Sequence, residues 1–207
     1  AVRSVLEAEM SSRYPNFTYV SIEHAGAVSS ADLVRNALLS LAIALALMLV
    51  YIGFRFDLYS GVAALFGLVH DVLMMLAFMT FFRSLYQVSS SFIAAILTIV
   101  GYSINNTIII FDRIRETKKR VGMSVPNREI VETSVRASLS RTINTTLTTL
   151  FTLVALYVLG VASIREFTFP LIVGMLAGSY SSNLLNGPVW ASLMDKAEAR
   201  KKQKAKA

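Results

Sequence analysis

A histidine and an aspartate stand side by side inside a long apolar run of this sequence, residues 58–82. His70 and Asp71 come roughly 12 residues after its start, a depth of about 18 Å in a helix that rises ~1.5 Å per residue. That depth is close to the midplane of a bilayer. An ionisable pair there could carry a proton, or it could join two helices through hydrogen bonds. The residue types alone leave both interpretations open.

A band of polar side chains interrupts the next apolar run, residues 91–111. Its members are Ser103, Asn105, Asn106 and Thr107. Asn106 shares a helical face with Ser103, and Asn105 shares another with Asp112. Asparagine hydrogen-bonds across helices but does not exchange a proton near neutral pH. By composition, the band therefore favours helix packing over ion transfer.

Charged residues stand at the ends of two apolar runs. Residues 112–116 read DRIRE, and such alternating charges are typical of an interfacial network. Arg141 opens another run, with Asn144, Thr145 and Thr148 within the next two turns. Because a guanidinium stays protonated, Arg141 could keep a carboxylate ionised across a bundle, or it could extend to the interface.

Long apolar blocks must position these residues. Of 207 residues, 55% are hydrophobic and 16% charged, against about 25% charged in soluble domains. A helix facing lipid needs about 20 apolar residues in a row. The blocks predict an all-α membrane bundle over residues 32–195, with about five transmembrane helices at 37–54, 58–82, 91–111, 142–161 and 167–193. In the last, Pro170 suits the first turn, and Gly174 and Gly178 allow close helix packing.

The basic residues are grouped in two places beside the apolar blocks. Residues 112–141 hold Arg113, Arg115, Lys118, Lys119, Arg120, Arg128, Arg136 and Arg141, and the tail 196–207 holds Lys196, Arg200, Lys201, Lys202, Lys204 and Lys206. The positive-inside rule makes 112–141 a cytoplasmic loop and 196–207 a basic cytoplasmic tail. Within the loop, residues 127–139 suit a short amphipathic helix on the membrane surface. With five spans, the N-terminal part lies outside.

Residues 1–31 have the pattern of the end of an α+β domain. A short helix is expected over 4–12 and a strand over 16–22. The segment is too short to fold alone, so the rest of this extracytoplasmic domain is expected upstream. Since no signal precedes it, an upstream span is expected as well.

The signals of several protein classes are missing from the sequence. There is no cysteine, there are only two histidines, and no glycine-rich phosphate loop occurs. Catalysis, a bound metal and an organic cofactor are not expected. The net charge of +7 does not indicate nucleic acid, because the basic residues flank the apolar blocks.

Several short motifs resemble the SecF family of protein-export membrane proteins. They are GYSINNTIIIFDRIRE at 101–116, YIGFRF at 51–56, the His70–Asp71 pair, LSRTINT at 139–145 and GSYSS at 178–182. The resemblance extends over about residues 25–193. It implies one half of a SecD–SecF assembly of the resistance-nodulation-division superfamily, each half with six spans and an external domain after the first. This chain would lack that first span and most of that domain.

The resemblance also implies a location, partners and an energy source. The location is the bacterial cytoplasmic (inner) membrane. The partners are SecD, fused or separate, the SecYEG channel, the SecA ATPase, YajC, unfolded preprotein and membrane lipid. A gradient of H⁺ or Na⁺ would drive late steps of preprotein export, with no cofactor beyond the coupling ion.

The predicted ion relay consists of Asn106, Arg141, Asp71 and Asp112. Polar residues line it: Ser103, Asn105, Thr107, Asn144, Thr145 and Thr148. At the position of Asn106 the family motif usually has aspartate, the residue proposed to carry the ion. Three explanations for the asparagine stay open: an engineered substitution, a natural variant that uses other acids, or a chain that has lost transport. Two other functions stay open: a small-molecule or lipid exporter of the same superfamily, and a passive scaffold for SecD.

Overall fold

The structure is a computed structural model that describes Glu9 and residues 27–84, 86, 89–122 and 125–204. The chain divides into two compact units, Ala1–Asn36 and Ala37–Ala207. In the first unit, Glu9 is helical and residues 27–36 begin a helix that continues into the second. The strand predicted at 16–22, and the predicted helix at 4–12 apart from Glu9, lie outside the described residues.

Six α-helices and one π-helical turn make up the described chain from residue 27 onward. They are α1 (Ala27–Arg55), α2 (Leu58–Phe81), α3 (Ser90–Val121), α4 (Asn127–Leu159), α5 (Ala162–Tyr180), the π turn (Ser181–Leu185) and α6 (Asn186–Lys204).

Local sequence signals set several of the helix ends. Asp57 caps the start of α2, where its carboxylate accepts the Ser60 N–H at 2.8 Å. Helix α3 ends at Val121 and is followed by Gly122, whose φ of +74° is a conformation that glycine adopts without strain. Pro126 stands immediately before α4, where its missing N–H costs nothing.

Four helices are long and apolar enough to cross a membrane: Val34–Arg55 within α1, and α2, α3 and α4. The predicted all-α membrane bundle is confirmed. The fifth predicted span, 167–193, falls on α5, the π turn and α6, none of which reaches that apolarity by itself. The three elements nevertheless follow each other without a break, because Ser181 and Asn186 keep helical dihedral angles.

The predicted cytoplasmic loop at 112–141 is wrong in its secondary structure. Helix α3 continues to Val121, and α4 begins at Asn127 and runs unbroken to Leu159. The separate surface helix predicted at 127–139 is thus the first part of α4. Hydropathy marks only the apolar part of a helix, so it does not distinguish the polar turns of a long helix from a loop.

Pro170 lies in the interior of α5 and not in its first turn, because the helix already begins at Ala162. The first turn instead contains Arg165, whose Nε donates to Gly160 O at 2.9 Å and whose Nη2 donates to Val158 O at 3.1 Å. These bonds occupy carbonyls at the end of α4, where cations are favourable.

Two apolar clusters form the core of the bundle. One surrounds Phe111 and Trp190, and the other surrounds Phe92 and Met175. Helix α5 packs against α2, α3 and α4, and the π turn lies against α2 and α3. Between the two clusters lies a layer of buried polar side chains around Asp71, which contains several of the predicted site residues.

Candidate functional site

Asp71 is the centre of the buried polar layer, with 1% of its surface exposed. Its Oδ2 accepts a hydrogen bond of 2.5 Å from Ser103 Oγ on α3 and one of 2.9 Å from Ser181 Oγ on the π turn. His70 Nδ1 lies 3.0 Å from the other oxygen, Oδ1. The carboxylate of Asp71 thus links α2, α3 and the π turn through hydrogen bonds, and it is also a group that can bind an ion.

The next layer of contacts lies one helical turn away. Asn186 Nδ2 donates to Thr107 Oγ1 at 2.8 Å, and Asn186 packs directly on Gly67. A methyl group at Gly67 would lie 2.7 Å from that Nδ2. Gly67 precedes Asp71 by four residues and Thr107 follows Ser103 by four, so both layers lie along one groove between α2 and α3.

The π turn allows one helix to serve both layers. Ser181 and Asn186 are five residues apart, which in an α-helix would place them about 140° apart around the axis. A π turn, with its i to i+5 hydrogen bonds, brings such residues onto one face. Ser181 can therefore reach Asp71 while Asn186 reaches Thr107.

Three buried polar atoms in this region make no hydrogen bond within the part of the chain that the structure describes. They are Asn106 Nδ2, Asn183 Oδ1 and Asn186 Oδ1. Asn106 is 1% exposed, so its amide lies inside the bundle. An unpaired buried polar group is costly, so each of these atoms requires an explanation.

Gly174 and Gly178 lie where α5 meets α2 and α3. A methyl group at Gly174 would lie 2.6 Å from Ile99 Cγ1 and 2.7 Å from Met75 Sδ. At Gly178 it would lie 3.2 Å from Ser103 Cβ and 3.4 Å from Asp71 Oδ2. The two glycines let the backbone of α5 approach the site closely.

Helix α4 presents small hydroxyl residues to the interior of the bundle. Ser134, Ser138, Thr142 and Thr146 are buried at four-residue intervals. Each donates to the carbonyl four residues earlier, at 2.7–3.2 Å. Thr146 Oγ1 also lies 2.8 Å from Tyr102 Oη on α3. The sequence-based predictions do not include this buried face, although its regular four-residue spacing is visible in the sequence.

The opposite face of α4 is exposed and polar, and we call its residues 141, 144, 145 and 148 the outer face. The hydroxyls of Thr145 and Thr148 donate to carbonyls of their own helix at 2.9–3.0 Å. The side chains of Arg141 and Asn144 are exposed and make no ion pair or hydrogen bond with a described residue. On α3, Asn105 is exposed as well.

Asp112 lies at the end of the bundle where the basic residues gather. Its Oδ1 is 3.0 Å from Arg55 Nη2, and both side chains are about half exposed. The same end joins α3, α4 and α6 through Asn127, which receives a bond from Lys118 Nζ at 3.3 Å and donates to Asp195 Oδ1 at 2.8 Å.

The structure brings some of the predicted relay residues together and separates others. Asp71 meets Ser103, and Thr107 lies in the adjoining layer. No hydrogen bond or ion pair links Arg141 or Asp112 to Asp71 or Asn106 among the described residues. The sequence did not predict Ser181 and Asn186 as site residues. Polar residues that follow two glycines inside an apolar run were the signal for them.

Comparisons with known proteins agree with the motifs. The family model of the protein export membrane protein SecD/SecF, C-terminal, matches residues 5–196. A protein translocase subunit SecF of Sebaldella termitidis is 39% identical over 187 residues, which are 90% of this chain and 60% of its own length. One of Cereibacter sphaeroides is 39% identical over 168 residues, 81% of this chain and 51% of its own length.

A solved structure shares the fold. It is the crystal structure of SecDF, a translocon-associated membrane protein, from Thermus thermophilus, with 34% sequence identity and a TM-score of 0.83. The match covers 94% of this chain and 27% of that chain. The chain thus spans only part of its relatives, 60% and 51% of the two SecF proteins. The resemblance seen in the motifs is confirmed, and this multi-pass membrane chain belongs to the SecD/SecF C-terminal family of protein-export membrane proteins.

Proposed function

We propose that the chain supplies the SecF half of a SecD–SecF assembly that uses an ion gradient to drive late steps of preprotein export. The single observation that carries the proposal is the outer face of α4. Arg141 and Asn144 point away from the bundle on a helix long and apolar enough to cross a membrane. Polar groups are costly against lipid, so another protein segment is expected to cover them.

The SecD half is the proposed cover, because the matching solved structure is of SecDF and the matching relatives are SecF subunits. An acidic residue of SecD would face Arg141. A guanidinium favours the ionised form of a neighbouring carboxylate, so moving α4 would change how readily that acid takes up H⁺ or Na⁺. Such a change could couple ion movement to motion of an external domain.

The remaining assignments follow the same proposal. The assembly would work in the bacterial inner membrane with the SecYEG channel, SecA and YajC. The end of the bundle that carries Arg115, Lys118 and Asp195 would face the cytoplasm. Asn106 would act as a permanently neutral group, and Asp71 as the titratable carboxyl of this half. The coupling ion is the only cofactor proposed.

The test is gradient-dependent release of a preprotein from vesicles that contain the complete assembly and the translocon. Arg141→Ala is expected to abolish the dependence on the gradient, and Arg141→Lys to restore part of it. The control is Arg136→Ala, an exposed arginine on the same helix whose Nη2 lies 2.8 Å from Glu132 Oε1. Unchanged release with Arg141→Ala would refute the proposal.

Asn106→Asp separates the relay from the other functions. A gain in ion-coupled release supports a relay. Loss of assembly alone, with no gain in coupling, favours a passive scaffold. Normal preprotein release together with drug sensitivity of a deletion strain favours the small-molecule or lipid exporter.

A further inference from the structure

A pocket of about 460 Å³ opens at the charged end of the bundle, among the ends of α1, α2, α3 and α6. We call it the basic pocket. Four basic residues and one acidic residue line it: Arg55, Arg115, Lys118, Lys119 and Asp57. Aromatic side chains form much of the remaining wall, and they include Phe56, Phe111 and Trp190.

The surrounding protein holds three of the four basic side chains in position. Arg115 Nη1 donates to Arg55 O at 3.1 Å. Arg55 is paired with Asp112 and lies over the ring of Phe56, 5.3 Å from its centroid. Lys118 Nζ lies 5.3 Å from the centroid of the Trp190 ring. An anion that entered would meet donors that are already ordered, which lowers the entropic cost of binding.

The single charge of Asp57 leaves the four basic residues of the pocket in excess, and no ion pair joins them to its oxygens within the described part of the chain. These oxygens accept Ser60 N at 2.8 Å and Ser60 Oγ at 3.0 Å, and Trp190 Nε1 lies 3.3 Å from both. Lys119, in contrast, is exposed and makes no ion pair within the described part of the chain. It shares a helical face with Arg115, four residues earlier. Arg115 and Lys119 are therefore the lining residues whose side chains have N–H donors available for a ligand.

Apolar surface adjoins the basic pocket where α1 passes into α2. Phe54, which also lines the pocket, is 90% exposed, and Leu58 is 75% exposed. Val50 and Leu47, one and two turns before Phe54 on α1, are exposed as well. A ligand with one phosphate and long apolar chains would use both surfaces, whereas a soluble phosphate would use only the cations.

We propose that the basic pocket binds the phosphate of an anionic phospholipid, with Arg115 and Lys119 as its main donors and the acyl chains along α1. Basic pockets between membrane helices are a general means of binding such head groups. The proposal does not depend on the export function. A lipid bound there would bridge α1 to α3, which Arg55 already joins through Asp112 and Arg115.

Native mass spectrometry of the complete assembly in detergent, with phosphatidylglycerol or phosphatidylcholine added, tests the proposal. Arg115→Gln/Lys119→Gln is expected to bind phosphatidylglycerol roughly tenfold more weakly, because two charge-assisted contacts are lost. The matched control, Arg120→Gln/Arg136→Gln, removes two exposed charges that do not line the basic pocket. It is expected to bind like the unchanged assembly.

Two outcomes would overturn the proposal. In the first, the pocket variant and the control variant retain phosphatidylglycerol equally. In the second, inorganic phosphate alone binds the unchanged assembly, displaces the lipid and is lost in the pocket variant, which would identify a soluble phosphate as the ligand. Gel filtration checks folding. If the double variant misfolds, Lys119→Gln alone gives the same test, because that exposed side chain has no partner to lose among the described residues.

Discussion

At the scale of single residues, Asp71 is the group on which the polar contacts of the bundle converge. Ser103 and Ser181 both donate to Oδ2, and His70 reaches Oδ1. The ring of His70 also lies beside Tyr180, with centroids 5.9 Å apart. Because His70 is a quarter exposed and Asp71 is buried, the pair links the interior of the bundle to its surface.

We predict that Asp71→Ala lowers the free energy of unfolding by roughly 2–4 kcal/mol, since it removes a buried acceptor and leaves a cavity. Asp71→Asn is expected to cost about 1 kcal/mol, because an amide oxygen still accepts from both serines. Thermal unfolding of the purified protein in detergent measures both. The control Glu132→Gln removes an exposed carboxylate and is expected to leave the melting temperature unchanged. Equal melting temperatures for all three variants would contradict a stabilising role of the Asp71 hydrogen bonds.

Asn106 shows how little a residue type reveals without its surroundings. From the sequence it appears as one of two adjacent asparagines in a polar band. In the structure Asn106 is buried and Asn105 is exposed. Neighbouring residues in a helix point about 100° apart, so the packing of α3 decides which one enters the bundle.

At the scale of elements, the approach of α5 to α2 and α3 depends on its glycines. We predict that Gly174→Ala lowers the free energy of unfolding by about 1–3 kcal/mol, because its methyl group would overlap Ile99 and Met75. Gly178→Ala is expected to cost less, since its nearest neighbour would be 3.2 Å away.

Gly101→Ala is the matched control for these glycines. Nothing lies within 4 Å of a methyl group at Gly101. Alanine is the better helix former by up to about 1 kcal/mol, so this variant is expected to be as stable as the original or slightly more stable. Melting temperatures in detergent rank the three variants. If Gly174→Ala were as stable as Gly101→Ala, close packing at Gly174 would be disproved.

The π turn, like the glycines of α5, is a feature of helix geometry that positions the site residues. It aligns Ser181 with Asp71 and Asn186 with Thr107, and Leu184 within the turn is exposed. Such turns recur at functional sites because they alter hydrogen bonding within an otherwise regular helix. Here the turn adjoins buried amides with unpaired atoms.

At the scale of the whole molecule, two candidate spans are scarcely covered by the rest of the chain. Only 6% of the apolar window of α1 and 11% of that of α4 is buried, against 39% for α2 and 44% for α3. For α1 the uncovered surface is largely apolar, which lipid can cover. The outer face of α4 is polar and calls for a protein partner.

We predict that Asn144→Leu/Thr148→Val weakens association with the SecD half, because it removes polar groups from the outer face. At about 0.6–2 kcal/mol per interhelical hydrogen bond, recovery should fall several-fold. The measurement is copurification with a tagged SecD half expressed as a separate chain. Val154→Leu/Val158→Leu, which changes exposed apolar residues of the same helix, should have no effect. Equal recovery of both double variants would rule out this face as the contact.

The sequence by itself determined the membrane bundle, four of its spans and the family. About 20 apolar residues in a row have few stable environments other than lipid, so composition suffices for the spans. It also identified most of the unusual polar residues, since each stands out against an apolar background. The sequence did not predict that most of residues 112–141 are helical, because a polar helix and a polar loop have similar composition.

Only the tertiary structure decided which polar residues meet. The contacts of Asp71 with Ser103 and Ser181, and of Thr107 with Asn186, join residues 32 to 110 positions apart. They depend on how each helix is rotated about its axis, which close packing at glycines and a π turn set together. The same rotation turns Arg141 outward and Asn106 inward. Hydropathy does not predict this rotation angle, because the angle is set by packing between helices and not by the composition of any one helix.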